Sequence, residues 1–266
     1  MSFGGLRVLA LESRRGLEME QLIRKQAGEP FVAPSMREIP LADNSEAFAF
    51  AERLFTGEFE MVILLTGVGT RQLNRLLATR FPEDAFAAAL ARVTLVARGP
   101  KPVAALRDMG LKPAIVAPEP NTWRELLAVT EARPERRIAV QEYGRAADEL
   151  LDGLRMRGGE ITRVRVYQWG LPDDVEPLRE AARRLAAGGF DVAMFTTAIQ
   201  ITHLARVAGE LGIEDAALGN LRKCQVYSIG PTTTEALEEF GVHPLMEPSH
   251  PKMGYLVNEA AERARQ

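Results

Sequence analysis

Gly99-Pro100 and Gly230-Pro231 lie 131 positions apart, and the same offset lays much of the chain over itself. Thr66 meets Thr197, Leu73 meets Leu204 and Arg75 meets Arg206. Phe59 meets Phe190, Gly110 meets Gly241 and Pro113 meets Pro244, while Arg14 meets Arg145 and Gly28 meets Gly159. No gap is needed. A chain of 266 residues with this self-similarity reads as two related units rather than one large sheet.

The units themselves alternate short apolar runs with helical patterns. Runs at 6–11, 61–65, 93–97, 138–141, 192–195 and 224–229 read as strands, with weaker ones at 31–33, 114–116 and 245–247. Helical periodicity covers 17–27, 46–55, 123–130, 148–157, 176–187, 201–211 and 254–265. Further helices open at Thr70 and Glu235, and one ends at Gly110. The run MVILL at 61–65 has no polar face, as a strand covered on both sides requires. Helices between such strands imply parallel pairing and a doubly wound α/β sheet in each unit. Sheets of this kind bind ligands outside the carboxyl ends of their strands. Here those ends carry Arg14, Thr66 and Gly67, Arg98 and Gly99, Arg145, Thr197 and Ala198, and Gly230 to Thr232. Two such rims facing one another would form an inter-domain cleft lined by backbone N–H groups and hydroxyls. In the stretch CQVYSIGPTTTEALEEFGVHP, Thr232 and Glu235 have capping-box spacing, which predicts Thr232 as a helix N-cap beside an anion-binding turn.

Composition narrows the partners. The net charge of −3 supplies no bulk basic field for nucleic acid or an anionic membrane, so an anionic ligand must be held by local groups. One cysteine, Cys224, rules out an internal disulfide and a cysteine-based zinc cluster, and its apolar strand predicts a buried, inert thiol. His203, His243 and His250 show no metal-ligand spacing. The first residues lack the pattern of a signal peptide and no run has the length of a membrane helix, which predicts a cytoplasmic protein.

The segments Ile229-Gly-Pro-Thr-Thr-Thr-Glu-Ala-Leu237, Phe195-Thr-Thr197 and Val166-Tyr-Gln168 resemble the uroporphyrinogen-III synthase family. The order of elements matches as well, from the Ser13-Arg14 loop to Glu247-Pro-Ser-His-Pro251. The resemblance implies two flavodoxin-like doubly wound domains joined by a two-stranded linker, with internal duplication. One domain would be 1–37 plus 171–266, the other 40–169, with linkers near 36–42 and 167–173. It implies cyclisation of hydroxymethylbilane, with loss of water and inversion of ring D, to give uroporphyrinogen III. No cofactor and no metal are expected. The expected partner is the small-molecule substrate alone, bound by a monomer without nucleic acid or membrane.

Tyr167 matches the family tyrosine at the linker and becomes the candidate catalytic group, its phenol donating to the departing hydroxyl. Thr197 matches a strand-exit hydroxyl residue. Ser228, Thr232 and Thr233 belong to the glycine-proline turn, where Thr232 and Thr233 would bind substrate carboxylates. Arg14 occupies the loop-arginine position, and Arg98, Lys101, Arg145 and Lys252 lie on loops at the expected cleft. Each of these cations also has the simpler reading of a solvated surface charge, and Tyr167 that of an aromatic packed at a junction. The chain departs from the family at Thr196-Thr-Ala-Ile199, at Arg15 and at Thr66-Gly-Val-Gly69. Those departures weaken individual side-chain roles more than a mechanism built on backbone donors. The alternative is a non-catalytic two-domain cytosolic protein that binds a tetrapyrrole or other polyanionic metabolite.

Overall fold

Short apolar strands set the architecture. The computed structural model describes residues 2–40, 44–142 and 147–264. Along the chain these form β1 (Arg7–Ala10), α1 (Gly16–Lys25), β2 (Glu29–Val32), β3 (Arg37–Pro40), α2 (Ser45–Phe55), β4 (Met61–Leu64), α3 (Gly67–Leu77), α4 (Ala85–Leu90), β5 (Thr94–Ala97), α5 (Pro100–Asp108), β6 (Ile115–Val116) and α6 (Trp123–Val129). They continue as β7 (Arg137–Gln141), α7 (Asp148–Met156), β8 (Glu160–Val164), β9 (Tyr167–Gly170), α8 (Glu176–Ala186), β10 (Val192–Phe195), α9 (Ile199–Glu210), α10 (Glu214–Leu221), β11 (Gln225–Ser228), α11 (Pro231–Glu238) and α12 (Met253–Arg263). Contacts divide the chain into a discontinuous unit, Met1–Arg37 with Gly170–Gln266, and a continuous one, Glu38–Trp169.

In the discontinuous unit the sheet order is β11-β10-β1-β2, all parallel. A single parallel bridge from Tyr227 to Met246 extends it where the sequence predicts a full strand at 245–247. Side chains alternate between faces, as strand geometry requires. Leu9, Ala193 and Phe195 join Leu178, Leu185, Leu204 and Leu218 on the face covered by α8, α9 and α10. Val8, Ala10 and Met194 join Met19, Ile23, Leu256 and Val257 under α1 and α12. Full burial of each such large side chain contributes about 1.5–3 kcal/mol, which makes these two layers the main stabilising feature.

The continuous unit has the order β6-β5-β4-β7-β8, again all parallel. Val62 and Leu64 face Phe50, Leu73 and Phe86, and Met61 and Ile63 face Leu126, Leu150 and Leu154. Each sheet has the doubly wound order, with the chain entering it at a different strand. The elements also recur at the spacing read from the sequence. Met61 opens β4 and Val192 opens β10, 131 positions later; Ser45 opens α2 and Glu176 opens α8, at the same interval. The strands β3 and β9 pair with each other as a separate two-stranded sheet.

A carboxylate clamps the amino end of each sheet at matching positions. Asp191 accepts from the Arg7 backbone N–H at 2.9 Å and from its guanidinium at 2.7 Å. Glu60 accepts from the N–H groups of Arg136 and Arg137 at 2.8 and 3.0 Å. The Arg7 side-chain bond holds the Asp191 carboxyl below its ordinary range, and the Arg136 and Arg137 amides do the same for Glu60.

Three sequence expectations need correction here. The short helices α4 and α10 escape the sequence pattern, because segments of 6 and 8 residues carry too few turns for periodicity to register. Helix α3 starts at Gly67, three residues before Thr70, since the Thr66 side chain accepts from the Gly69 N–H and caps it. Helix α11 starts at Pro231 with Gly230 as its N-cap, so Thr232 is already inside the first turn and no side-chain cap exists. Proline's fixed φ and missing N–H suit the first helical position, and that preference overrides the capping-box spacing.

Cys224 is half-buried. Burial pushes its thiol up to about 11, and Sγ lies 3.3 Å from the Phe190 carbonyl, so it stays protonated and unreactive.

Candidate functional site

The rim of the discontinuous unit is assembled from the exits of β1, β10 and β11. A buried glutamine organises it. Gln200, in the first turn of α9, accepts with Oε1 from Thr196 N–H at 2.7 Å and Thr197 N–H at 3.3 Å. Its Nε2 donates to the Leu11 carbonyl at 2.9 Å and to the Thr196 hydroxyl oxygen at 2.9 Å. Glu12 completes the network. Its Oε1 accepts from the amides of Arg14 and Arg15 at 3.0 and 3.1 Å, and its Oε2 accepts from the Thr196 hydroxyl at 2.7 Å. The backbone donors expected to face a ligand at Arg14 and Thr197 are therefore taken by the chain's own side chains. The Thr197 hydroxyl has no hydrogen-bond partner among the described residues, and the Arg14 side chain is exposed.

Beside this network lies the glycine-proline turn. Thr232 and Thr197 are half-buried, and neither hydroxyl has a hydrogen-bond partner among the described residues. Thr233 is 3% exposed, its N–H given to the Gly230 carbonyl at 2.9 Å. Ser228 meets the Thr234 hydroxyl at 2.6 Å, and Thr234 also donates to Glu247. Ser228 and Thr234 thus brace the turn from inside. Thr232 stands in the first turn of a helix that no side chain caps; Pro231 has no N–H and Thr233 and Thr234 give theirs to the Gly230 carbonyl, so the Thr232 N–H and hydroxyl are the donors placed to meet a carboxylate. Ala198 is buried at the start of α9 and offers backbone only.

In the continuous unit the rim collects Thr66, Gly67, Arg98 and Tyr167. Tyr167 is 2% exposed, packed edge-on against Trp169 at 5.3 Å, with its hydroxyl 3.4 Å from Thr66 Oγ1. Thr66 is the more exposed member of that pair. Gln141, at the end of β7, reaches Thr66 N–H with Oε1 at 3.4 Å and donates through Nε2 to the Glu142 carbonyl. Gly67 and Gly69 are there for space. A Cβ on Gly67 would stand 2.3 Å from the Lys101 carbonyl oxygen, and one on Gly69 would stand 2.1 Å from Gln141 Nε2. Gly67 is buried, so its placement is a packing matter first. Arg98 is half-buried and donates its N–H to Leu64 O at 3.0 Å, inside the ladder. Arg145 lies outside the described residues.

Sequence reasoning missed Glu12, Gln141 and Gln200. Isolated polar residues have no spacing to betray them; a glutamine inside the apolar stripe of a helical pattern is the one available signal. His203 is also buried, with Nδ1 2.7 Å from the Ser35 carbonyl, and burial lowers its pKa, so the ring is a neutral structural donor. Among the described residues no cluster of histidine, cysteine, aspartate or glutamate could hold a metal ion, and no helix is long and apolar enough to cross a membrane.

The family profile for "Uroporphyrinogen-III synthase HemD" matches residues 18–258. Among individual proteins, the chain is 28% identical to the uncharacterized protein YjjA of Bacillus subtilis, over 97% of this chain and 96% of that one. It is 30% identical to the Methanothermobacter thermautotrophicus protein named "Putative uroporphyrinogen-III synthase", over 86% and 87% of the two chains. A crystal structure of a mutant uroporphyrinogen III synthase from Thermus thermophilus superposes with a TM-score of 0.74 at 25% identity, covering 98% of each chain. The Helicobacter pylori uroporphyrinogen-III synthetase, at 15% identity and a TM-score of 0.51 over 96% of this chain and 98% of that one, shares the fold. By sequence profile and by architecture, this chain belongs to the uroporphyrinogen-III synthase family.

Proposed function

We propose that the protein is a uroporphyrinogen-III synthase, cyclising hydroxymethylbilane with loss of water and inversion of ring D. The observation that carries this reading is the pair of unclaimed threonine hydroxyls, Thr197 and Thr232, beside the uncapped α11 at the carboxyl edge of a parallel sheet. A substrate with eight carboxylates suits dispersed neutral donors better than one concentrated cationic pocket. In this reading Arg14, Thr197, Gly230 and Thr232 hold carboxylates, the buried Thr233 shapes the turn instead of binding as the sequence suggests, Ala198 and Gly67 keep the backbone close, and Arg98 and Arg145 add charge. The hydroxyl leaves the hydroxymethyl carbon as water and an azafulvene cation forms. A spiro intermediate then lets the last ring turn over before closure. Tyr167 and Thr66 are the hydroxyl pair that would assist the departing oxygen. The rest of the task is orientation and exclusion of water, because closure in free solution gives the un-inverted isomer.

The burial of Tyr167 favours one second reading, a family member that binds a tetrapyrrole without turning it over. One assay decides. Hydroxymethylbilane is generated in situ, the protein is added, and the uroporphyrinogen isomers are resolved. Isomer III above background supports the synthase. Isomer I alone ends that reading, and isomer I together with measurable binding supports the second.

A further inference from the structure

Next to the Gly230 turn lies a group of side chains that the proposed chemistry leaves unused. Residues 247–252 leave the carboxyl edge of the discontinuous unit's sheet, after the bridge at Met246, and lead into α12. There His250 and Tyr255 pair as tilted rings, with centroids 4.7 Å apart. Tyr255 is 41% exposed, an unusual position for a large aromatic ring. Lys252 Nζ stands 6.0 Å from the Tyr255 ring centre, and Lys252 has no carboxylate partner among the described residues. The loop reaches the turn directly: Pro251 is the nearest neighbour of a Cβ built on Gly230, at 4.0 Å.

The other unit shows what this place looks like when it is filled. The positions 131 earlier are Glu119, Asn121 and Arg124. Asn121 lies against Gly99, the counterpart of Gly230, where a Cβ would meet its Oδ1 at 2.6 Å. With its amide turned to suit its neighbours, Asn121 donates to the carbonyls of Arg98 and Ala117, both at 3.0 Å. That turn is closed over by a side chain, and Arg124 lies over the Trp123 ring at 4.4 Å. At Gly230 no polar side chain closes over the turn: Pro251 alone comes to 4.0 Å, Glu247 is engaged by Thr234, and the adjoining loop carries the exposed Tyr255 ring and Lys252.

We propose that His250, Lys252 and Tyr255 form a subsite for one carboxylate-bearing pyrrole ring of the ligand. The inference rests on the tetrapyrrole reading above and adds its own residues to it. The pyrrole stacks on the exposed Tyr255–His250 face, and Lys252 takes a side-chain carboxylate as that ring's neighbours reach Thr232.

The test uses uroporphyrin III as the probe, titrated against the full chain by porphyrin fluorescence, with no turnover required. Tyr255→Ala and Lys252→Met each weaken binding about 10-fold while the melting temperature stays that of the parent. Tyr255→Phe, which keeps the ring, retains most of the affinity. Unchanged affinity in both Tyr255→Ala and Lys252→Met overturns the subsite, as does failure of the parent protein to bind uroporphyrin III. The isomer assay reads independently. Isomer III with unchanged affinities sinks the subsite and keeps the synthase; weakened affinities without isomer III keep the subsite and sink the synthase.

Discussion

The two rims solve one problem with different residues. In each, a glutamine Oε1 takes the N–H of the strand-exit threonine, Thr197 in one unit and Thr66 in the other. Gln200 comes from a helix and Gln141 from a strand. The position matching Gln200 is Gly69, whose missing side chain makes room for Gln141, and the position matching Gln141 is Ala10. Either source of the amide suffices, so the demand is for a satisfied strand exit and not for a particular residue. The difference lies in what is left over. One rim keeps open hydroxyls and an uncapped helix; the other keeps a buried tyrosine touching a threonine.

The largest test of this contrast is steric. Gly67→Ala drives a methyl group into the Lys101 carbonyl and costs on the order of 3 kcal/mol or more, read as a fall in the urea midpoint. The matching residue in the other unit is already Ala198, and Ala198→Gly there costs under about 1 kcal/mol. Equal losses would mean the two strand exits pack alike.

Function divides next. Tyr167→Phe lowers kcat for isomer III by about 100-fold with KM little changed, and Thr232→Val raises KM about 5-fold with kcat little changed. Steady-state kinetics that swap these signatures would reverse the assignment of chemistry to one rim and binding to the other. Gln200→Ala costs about 2 kcal/mol because Leu11 O and Thr196 N–H lose a buried partner. Gln141→Ala costs less, its bond to Thr66 N–H being long at 3.4 Å.

The smallest effect concerns acid. Asp191 and Glu60 both titrate below their ordinary range in the folded protein. Each therefore stabilises the fold above its unfolded pKa, and that contribution is lost as pH falls through the folded value. Asp191→Asn and Glu60→Gln flatten the melting-temperature profile below about pH 4 and leave its slope near neutrality unchanged. Glu135 is also lowered. Burial raises its carboxyl, but bonds from Arg133 and Thr94 outweigh that and hold it at about 2, so it contributes to the acid sensitivity that remains after both substitutions, together with Glu125, Glu176 and Glu259, which are also lowered.

Much of the architecture is legible in the order of residues alone. The apolar strands and the parallel arrangement follow from where Val, Ile and Leu cluster, because burial on both sheet faces leaves few other choices at Met61–Leu64 or Val192–Phe195. The rim residues follow from those strand ends. Which donors stay open does not. That depends on Glu12 and Gln200 folding back across 184 and 189 positions to Thr196 and Leu11, contacts that leave no local pattern. At the start of α11 two local signals compete, and Gly230-Pro231 outranks Thr232 and Glu235.

The placement of β1 has a consequence for how the chain is made. It sits between β10 and β2, so its partner on one side is synthesised only from Val192 onward. The segment from Glu38 to Trp169, by contrast, holds every strand of its own sheet and leaves the ribosome in one piece. The usual order of co-translational folding, amino-terminal part first, is thus reversed. The second-born unit can finish while the first-born β1, α1 and β2 wait with one flank of β1 unpaired. Slowing translation beyond Trp169 lengthens that wait, and a chaperone that shields a bare strand edge has its natural substrate there.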